Sequence, residues 1–190
     1  MPSSLGGRVR RQVLAVASLA ILLGLSATGG ACAMELTSKS ISPDEPIPMR
    51  YVYDKGGCEG SNVSPGLSWS GVPPGTKSIA VTVHDPDAPA SGGWWHWIAF
   101  DIPSGVTYLA EGASGALPSP SVEARNDFGA TGYGGPCPPR GSKPHRYVFT
   151  VYALDISQLA TDDDDDPVAI EQALEDHTIE KASLTARYGR

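Results

Sequence analysis

Apolar and polar residues alternate over several short stretches of this chain, and glycine or proline closes most of them. In "SIAVTVHD", Ser78 to Asp85, the residues Ile79, Val81 and Val83 alternate with Ala80, Thr82 and His84. A period of two sends successive side chains to opposite faces, so this stretch predicts a strand buried on one face and half-buried on the other. "WHWIAFDI", Trp95 to Ile102, and "HRYVFTVYALD", His145 to Asp155, are apolar almost throughout. That pattern predicts central strands covered on both faces. "IPMRYVY", Ile47 to Tyr53, and "GLSWSGV", Gly66 to Val72, have strand character between turn residues. "KASLTARYGR", Lys181 to Arg190, alternates weakly and predicts a last strand.

One helix signal stands out near the C-terminus. Asp166 can cap, Pro167 suits the first helical position, and Val168, Ile170 and Leu174 supply an apolar side. Between Tyr108 and Lys143 the chain is rich in Gly, Pro, Ser and Ala, which predicts a long irregular segment of the kind that carries function or stays disordered. The pattern as a whole predicts a mainly β domain with a little helix.

The first 33 residues depart from this pattern. Arg8, Arg10 and Arg11 precede the apolar run "VLAVASLAILLGL", Val13 to Leu25, and "ACA", Ala31 to Ala33, has the small residues of a cleavage site. This reads as an export signal over 1–33, followed by a domain over 34–190 in the periplasm or outside the cell. The apolar run is shorter than the roughly 20 residues a membrane span needs, so no stable span is expected once the signal is removed. Three of the 14 Lys and Arg residues precede Met34 and none of the 21 Asp and Glu do, so 34–190 carries 11 against 21, a net charge of −10. So acidic a surface argues against nucleic acid and anionic lipid as partners.

Removing Cys32 leaves Cys58 and Cys137. In an oxidising compartment the two can form a disulfide; the alternative is two separate buried thiols. The five aspartates Asp162 to Asp166 lack the alternating ligands and turn glycine of a known calcium loop and read as a solvated acidic loop. The histidines show no compact metal-ligand spacing, and no metal or cofactor is expected.

Candidate chemistry concentrates in three segments. In "HDPDAP", His84 to Pro89, two prolines stiffen the strand end and aim Asp85 and Asp87. In "WWHW", alternation puts Trp95 and Trp97 on one face and Trp94, His96 and Ile98 on the other. A histidine among aromatics is an ordinary neutral core residue unless a carboxylate lies close and favours its cationic form. In "GYGGPCPPRGSKPHRY", Gly132 to Tyr147, Gly134 and Gly135 permit close backbone approach, and their N–H groups can form an anion-binding nest. No Lys-Ser or Lys-Thr of a nucleotide-hydrolysing P-loop follows.

Together, "NVSPGLSW" (Asn62 to Trp69), "DPDAP" (Asp85 to Pro89), "GGWWHWIAFDIP" (Gly92 to Pro103), "GYGGPCPP" (Gly132 to Pro139) and "HRYVFTVYALD" resemble the phosphatidylethanolamine-binding protein family, most of all its bacterial Raf-kinase-inhibitor-like branch. The resemblance implies a large central antiparallel sheet, a smaller second sheet and peripheral short helices. It also implies a pocket for phosphate, phosphorylated head groups or small carboxylates. Carried over by position, Asp85 and His96 are the central pocket residues and Asp87 supports the turn. His145 lines the rim, and the loop with Gly135, Pro136 and Pro138 forms a wall. The resemblance further implies a cis bond before Pro89 and favours a Cys58–Cys137 disulfide.

These readings lead to an expected non-catalytic binding protein for a small anionic or phosphorylated ligand, with Asp85 charging the His96 imidazole. Two alternatives stand beside it. One is an inhibitor of a protease or signalling protein, whose partner the sequence does not name. The other is a hydrolase using Asp85 and His96, although no nucleophile elbow is present.

Overall fold

The computed structural model describes residues 33–190. The expected export signal, with Cys32, therefore lies outside the described residues save for Ala33. Two antiparallel sheets make up the domain. The first has three strands in the order β1 (Glu35–Thr37), β2 (Leu67–Ser70), β5 (Tyr108–Leu109). The second has five, in the order β6 (Val122–Glu123), β4 (Trp94–Pro103), β3 (Ser78–Asp85), β7 (His145–Leu154), β8 (Thr178–Tyr188). The long apolar stretches thus occupy interior positions, where each face meets other protein.

Alternation along these strands divides the core in two. Ile79, Val81, Val83, Tyr147, Phe149 and Val151 pack against Leu36, Leu67, Trp69 and Leu109 between the sheets. On the other face Ala80, Ile98, Phe100, Tyr152 and Leu154 pack under α1 (Pro167–Asp176), which contributes Ile170 and Leu174. The Asp166 side chain caps this helix by accepting the Val168 N–H at 2.8 Å, and Pro167 follows it. Val168 is 56% exposed and takes no part in the apolar face expected of it. Asp166→Ala should cost about 1 kcal/mol, read from urea denaturation, because one orphan helix N–H loses its acceptor.

Two expectations about local structure need correction. Ile47 to Tyr53 is not a strand; Met49–Tyr51 forms a 3₁₀ turn. Pro46 and Pro48 have no N–H to give a ladder, and Pro48 O and Met49 O instead accept from Tyr51 and Val52. The Ala88–Pro89 bond is trans, and the cis bond among the described residues is Ser119–Pro120. The aspartate run is a loop leading into α1, and no cluster of metal-ligating side chains occurs among the described residues. Nor is any helix among them long and apolar enough to cross a membrane. Cys58 and Cys137 form a disulfide, with their Cα atoms 5.7 Å apart, tying the loop after Gly132 to the segment after Tyr53.

Candidate functional site

The site lies where three strands of the larger sheet end. β3 closes on Asp85, which faces the inter-sheet core like Val81 and Val83. β7 runs antiparallel beside β3, with His84 opposite Val148, so its first residues His145 and Tyr147 come alongside Asp85. On the other side of β3, Asp85 pairs with Trp94.

A β-bulge then decides where His96 goes. Val83 pairs with Trp97 and His84 with Trp95, so His96 is the extra residue between them. A bulge shifts the alternation by one residue. Trp97 consequently faces the inter-sheet core while Trp95 faces the other way, contrary to the strict alternation expected of "WWHW". His96 meets Tyr147 and Phe128 edge-on, at 5.1 and 5.3 Å between ring centres.

Asp85, His96, His145 and Tyr147 line a cavity of about 160 Å³, with apolar sides from Ala88, Pro89, Trp94, Phe128, Cys137, Pro138 and Pro139. Both Asp85 oxygens are engaged. Oδ1 accepts the Asp87 N–H at 2.9 Å and Oδ2 accepts from His145 Nδ1 at 2.7 Å. The imidazole held by Asp85 is therefore His145, and not His96 as expected.

His96 is instead a neutral ring. Its Nδ1–H donates to Gly134 O at 2.6 Å, leaving Nε2 as an acceptor. Burial lowers its pKa to about 4, overriding the opposing pull of the Gly134 carbonyl and Asp85. Tyr147 shows the complementary feature. Its buried hydroxyl makes no hydrogen bond of normal geometry among the described residues but lies near the Asp85 carboxylate, and burial, then the Asp85 charge and that side-chain approach, push its titration up. The buried Trp94 indole N–H is likewise without a partner among them.

Other expected site residues lie elsewhere. Asp87 forms a forked ion pair with Arg146 outside the cavity, accepting from Nη2 at 2.7 Å and from Nε at 2.9 Å. These bonds hold its carboxyl down at about 2. Gly135 and Pro136 do not line the cavity, whereas Pro138 does. Gly135 packs against the Tyr51–Tyr53 backbone, where an added Cβ would lie 2.2 Å from Tyr51 O. Nor can the two glycine N–H groups form an anion nest: Gly134 N–H donates to His96 O and Gly135 N–H to Asn62 Oδ1.

Tyr147 and Trp94 escaped the expected set although a period of two pointed to both. Tyr147 follows His145 by two residues and Trp94 precedes His96 by two. Phe128 carried no signal, because it sits in the irregular segment. The lining contains acid, base and phenol, but no serine, threonine or lysine.

Comparison with known proteins gives a consistent picture. The family model described as Phosphatidylethanolamine-binding protein matches residues 37–189. The YbcL protein of Escherichia coli (strain K12) is 44% identical over 172 residues, covering 88% of this chain and 94% of that one. The crystal structure of Escherichia coli YbcL superposes with a TM-score of 0.82 at 45% identity, covering 84% of this chain and 99% of that chain. A phosphatidylethanolamine-binding protein homologue of Chlamydia trachomatis superposes with a TM-score of 0.70 at 38% identity, covering 83% and 98%.

Proposed function

The chain belongs to the phosphatidylethanolamine-binding protein family, and from that premise we propose that it binds, without chemical turnover, a small anionic or phosphorylated head group in the Asp85–His145 cavity. The observation that carries this reading is the Tyr147 hydroxyl, a buried donor of a cavity-lining residue that lies near Asp85 yet makes no hydrogen bond of normal geometry among the described residues. Buried polar groups are ordinarily paired, so an orphan at a cavity marks a place where a ligand atom completes the bond. Trp94 supplies a second such donor, and an indole N–H can only donate.

The remaining groups limit what fits. The Asp85 carboxylate repels a bare anion unless a proton accompanies it. His145 donates its Nδ1–H to Asp85 Oδ2 and so occupies one oxygen of that carboxylate. The neutral His96 Nε2 asks for a donor, such as the remaining proton of a phosphomonoester or a carboxylic acid. A singly protonated phosphate group, or a small carboxylic acid, meets both demands. The wall carries no serine, threonine or lysine, its cysteine is bound in the disulfide and both Asp85 oxygens are already hydrogen-bonded, which supports binding over acyl transfer. Export to an oxidising compartment belongs to the same proposal. The N-terminal signal pattern and the Cys58–Cys137 bond support it.

Calorimetric titration with phosphoethanolamine, inorganic phosphate and acetate tests the site. Tyr147→Phe keeps the ring and removes only the donor, so affinity should fall by about tenfold or more while stability stays within about 0.5 kcal/mol of the parent. Equal affinity in the variant, or no heat from any of the three, would overturn the proposal.

A further inference from the structure

A second hollow lies on the opposite face of the five-stranded sheet. Alternation sends Thr82 and His84 away from Asp85, and the register sets Thr82 opposite Thr150 and Thr150 opposite Ser183. Three hydroxyls thus run in a row across β3, β7 and β8, two of them, Thr150 and Ser183, hydrogen-bonded to each other at 2.9 Å. Where α1 leaves this row uncovered, a cavity of about 260 Å³ remains. Trp95 lines it, is only 4% exposed, and carries a buried indole N–H without a partner among the described residues. The His84 ring stacks on that indole at 4.2 Å, held by a 2.8 Å bond between Nε2 and Gly92 O.

The charges at the rim select the ligand. An ammonium group would need the seat between Glu175 and the Tyr152 ring, but Lys181 already holds it, paired with Glu175 and 5.5 Å from the ring centre. An anion would face Glu171 and Glu175 together. Glu171 has no ion-pair partner among the described residues and remains a free acceptor at the edge. The Trp95 N–H can only donate, so it suits a ligand oxygen; Glu171 can only accept, so it suits a ligand donor; and Thr150, already bonded to Ser183, keeps one further donor or acceptor. Hydroxyl groups do all three. The volume is below the ~300–1,000 Å³ of sites for drug-sized ligands, which suits one sugar ring.

We propose that this face is a second binding site, separate from the Asp85–His145 cavity, which takes a neutral polyhydroxylated ligand such as a monosaccharide unit through Trp95, Thr82, Thr150 and Glu171. It is tested on the full chain by ¹H–¹⁵N spectroscopy of the indole N–H groups during titration with glucose, galactose, mannose and N-acetylglucosamine. At least one sugar should move the Trp95 signal saturably at millimolar concentration and leave Trp94 in place. Thr150→Val should weaken that response about fivefold, the worth of one net hydrogen bond. Ser183→Ala, at the exposed end of the row, gives a second reading should the buried variant fail to fold. No saturable Trp95 response to any of the four sugars, or a response unaffected by both substitutions, would overturn the proposal. Failure here would leave phosphoethanolamine binding on the other face untouched.

Discussion

The double variant Cys58→Ala, Cys137→Ala is expected to lose about 4 kcal/mol of folding stability. The two cysteines are 79 residues apart, and a cross-link spanning a loop of that length removes roughly 4.5 kcal/mol worth of chain entropy from the unfolded state, less any native strain. The loss should appear as a lower urea midpoint with a changed slope, because the uncross-linked chain exposes more surface on unfolding. Affinity should fall as well. Cys137, Pro138 and Pro139 are consecutive residues of the cavity wall, and the disulfide anchors them to Cys58, which is itself buried. Parent protein reduced by dithiothreitol should reproduce both changes. A midpoint shift worth less than about 1 kcal/mol would show that the cross-link is not what holds this loop.

The second large effect is loss of stability in acid through His96. Its pKa is about 4 when folded, against about 6.5 for an unperturbed histidine. Between these values the unfolded chain binds a proton that the folded ring refuses, so stability falls as pH drops from about 6.5 to about 4. Above that window the contribution is fully present; below it the curve levels. The shift corresponds to about 3 kcal/mol at most. His96→Asn places an amide N–H where Nδ1–H stands, within reach of Gly134 O, and does not titrate. The stability gap between parent and variant should therefore shrink by about 3 kcal/mol from pH 7 to pH 4 in urea denaturation at each pH. A gap independent of pH would mean that the buried ring is not the group involved.

Most of the sheet was legible because its strands are uninterrupted apolar runs or clean alternations, which periodicity reports directly. The Ile47–Tyr53 error has a local cause, since Pro48, with Pro46 just before the stretch, removes ladder donors from a largely apolar segment. His96 illustrates a different limit. Its bulge depends on the pairing of β4 with β3, and one inserted residue reverses the side chains that follow until a second irregularity, between the Ile79 and Val81 pairings, resets them. The Asp85–His145 bond spans 60 residues of sequence. Alternation identifies which face each residue occupies but not which of two imidazoles the carboxylate reaches. Stiff prolines suggested an aimed carboxylate, and Asp85 is one; Asp87, in the same motif, is turned outward to Arg146. The glycine loop misled for the same reason. Its N–H groups looked free until Asn62 and the His96 carbonyl, both distant in sequence, were placed beside them.

The most direct measurement of the ligand site is the response of the four indole N–H signals to phosphoethanolamine. Trp69 and Trp97 already donate, to Val106 O and Glu123 Oε1, and Trp95 lies on the other face of the sheet. The Trp94 signal alone should move, saturating at the affinity found by calorimetry and failing to do so in Tyr147→Phe. A shift confined to other indoles, or a Trp94 response identical in Tyr147→Phe, would contradict binding in the Asp85–His145 cavity.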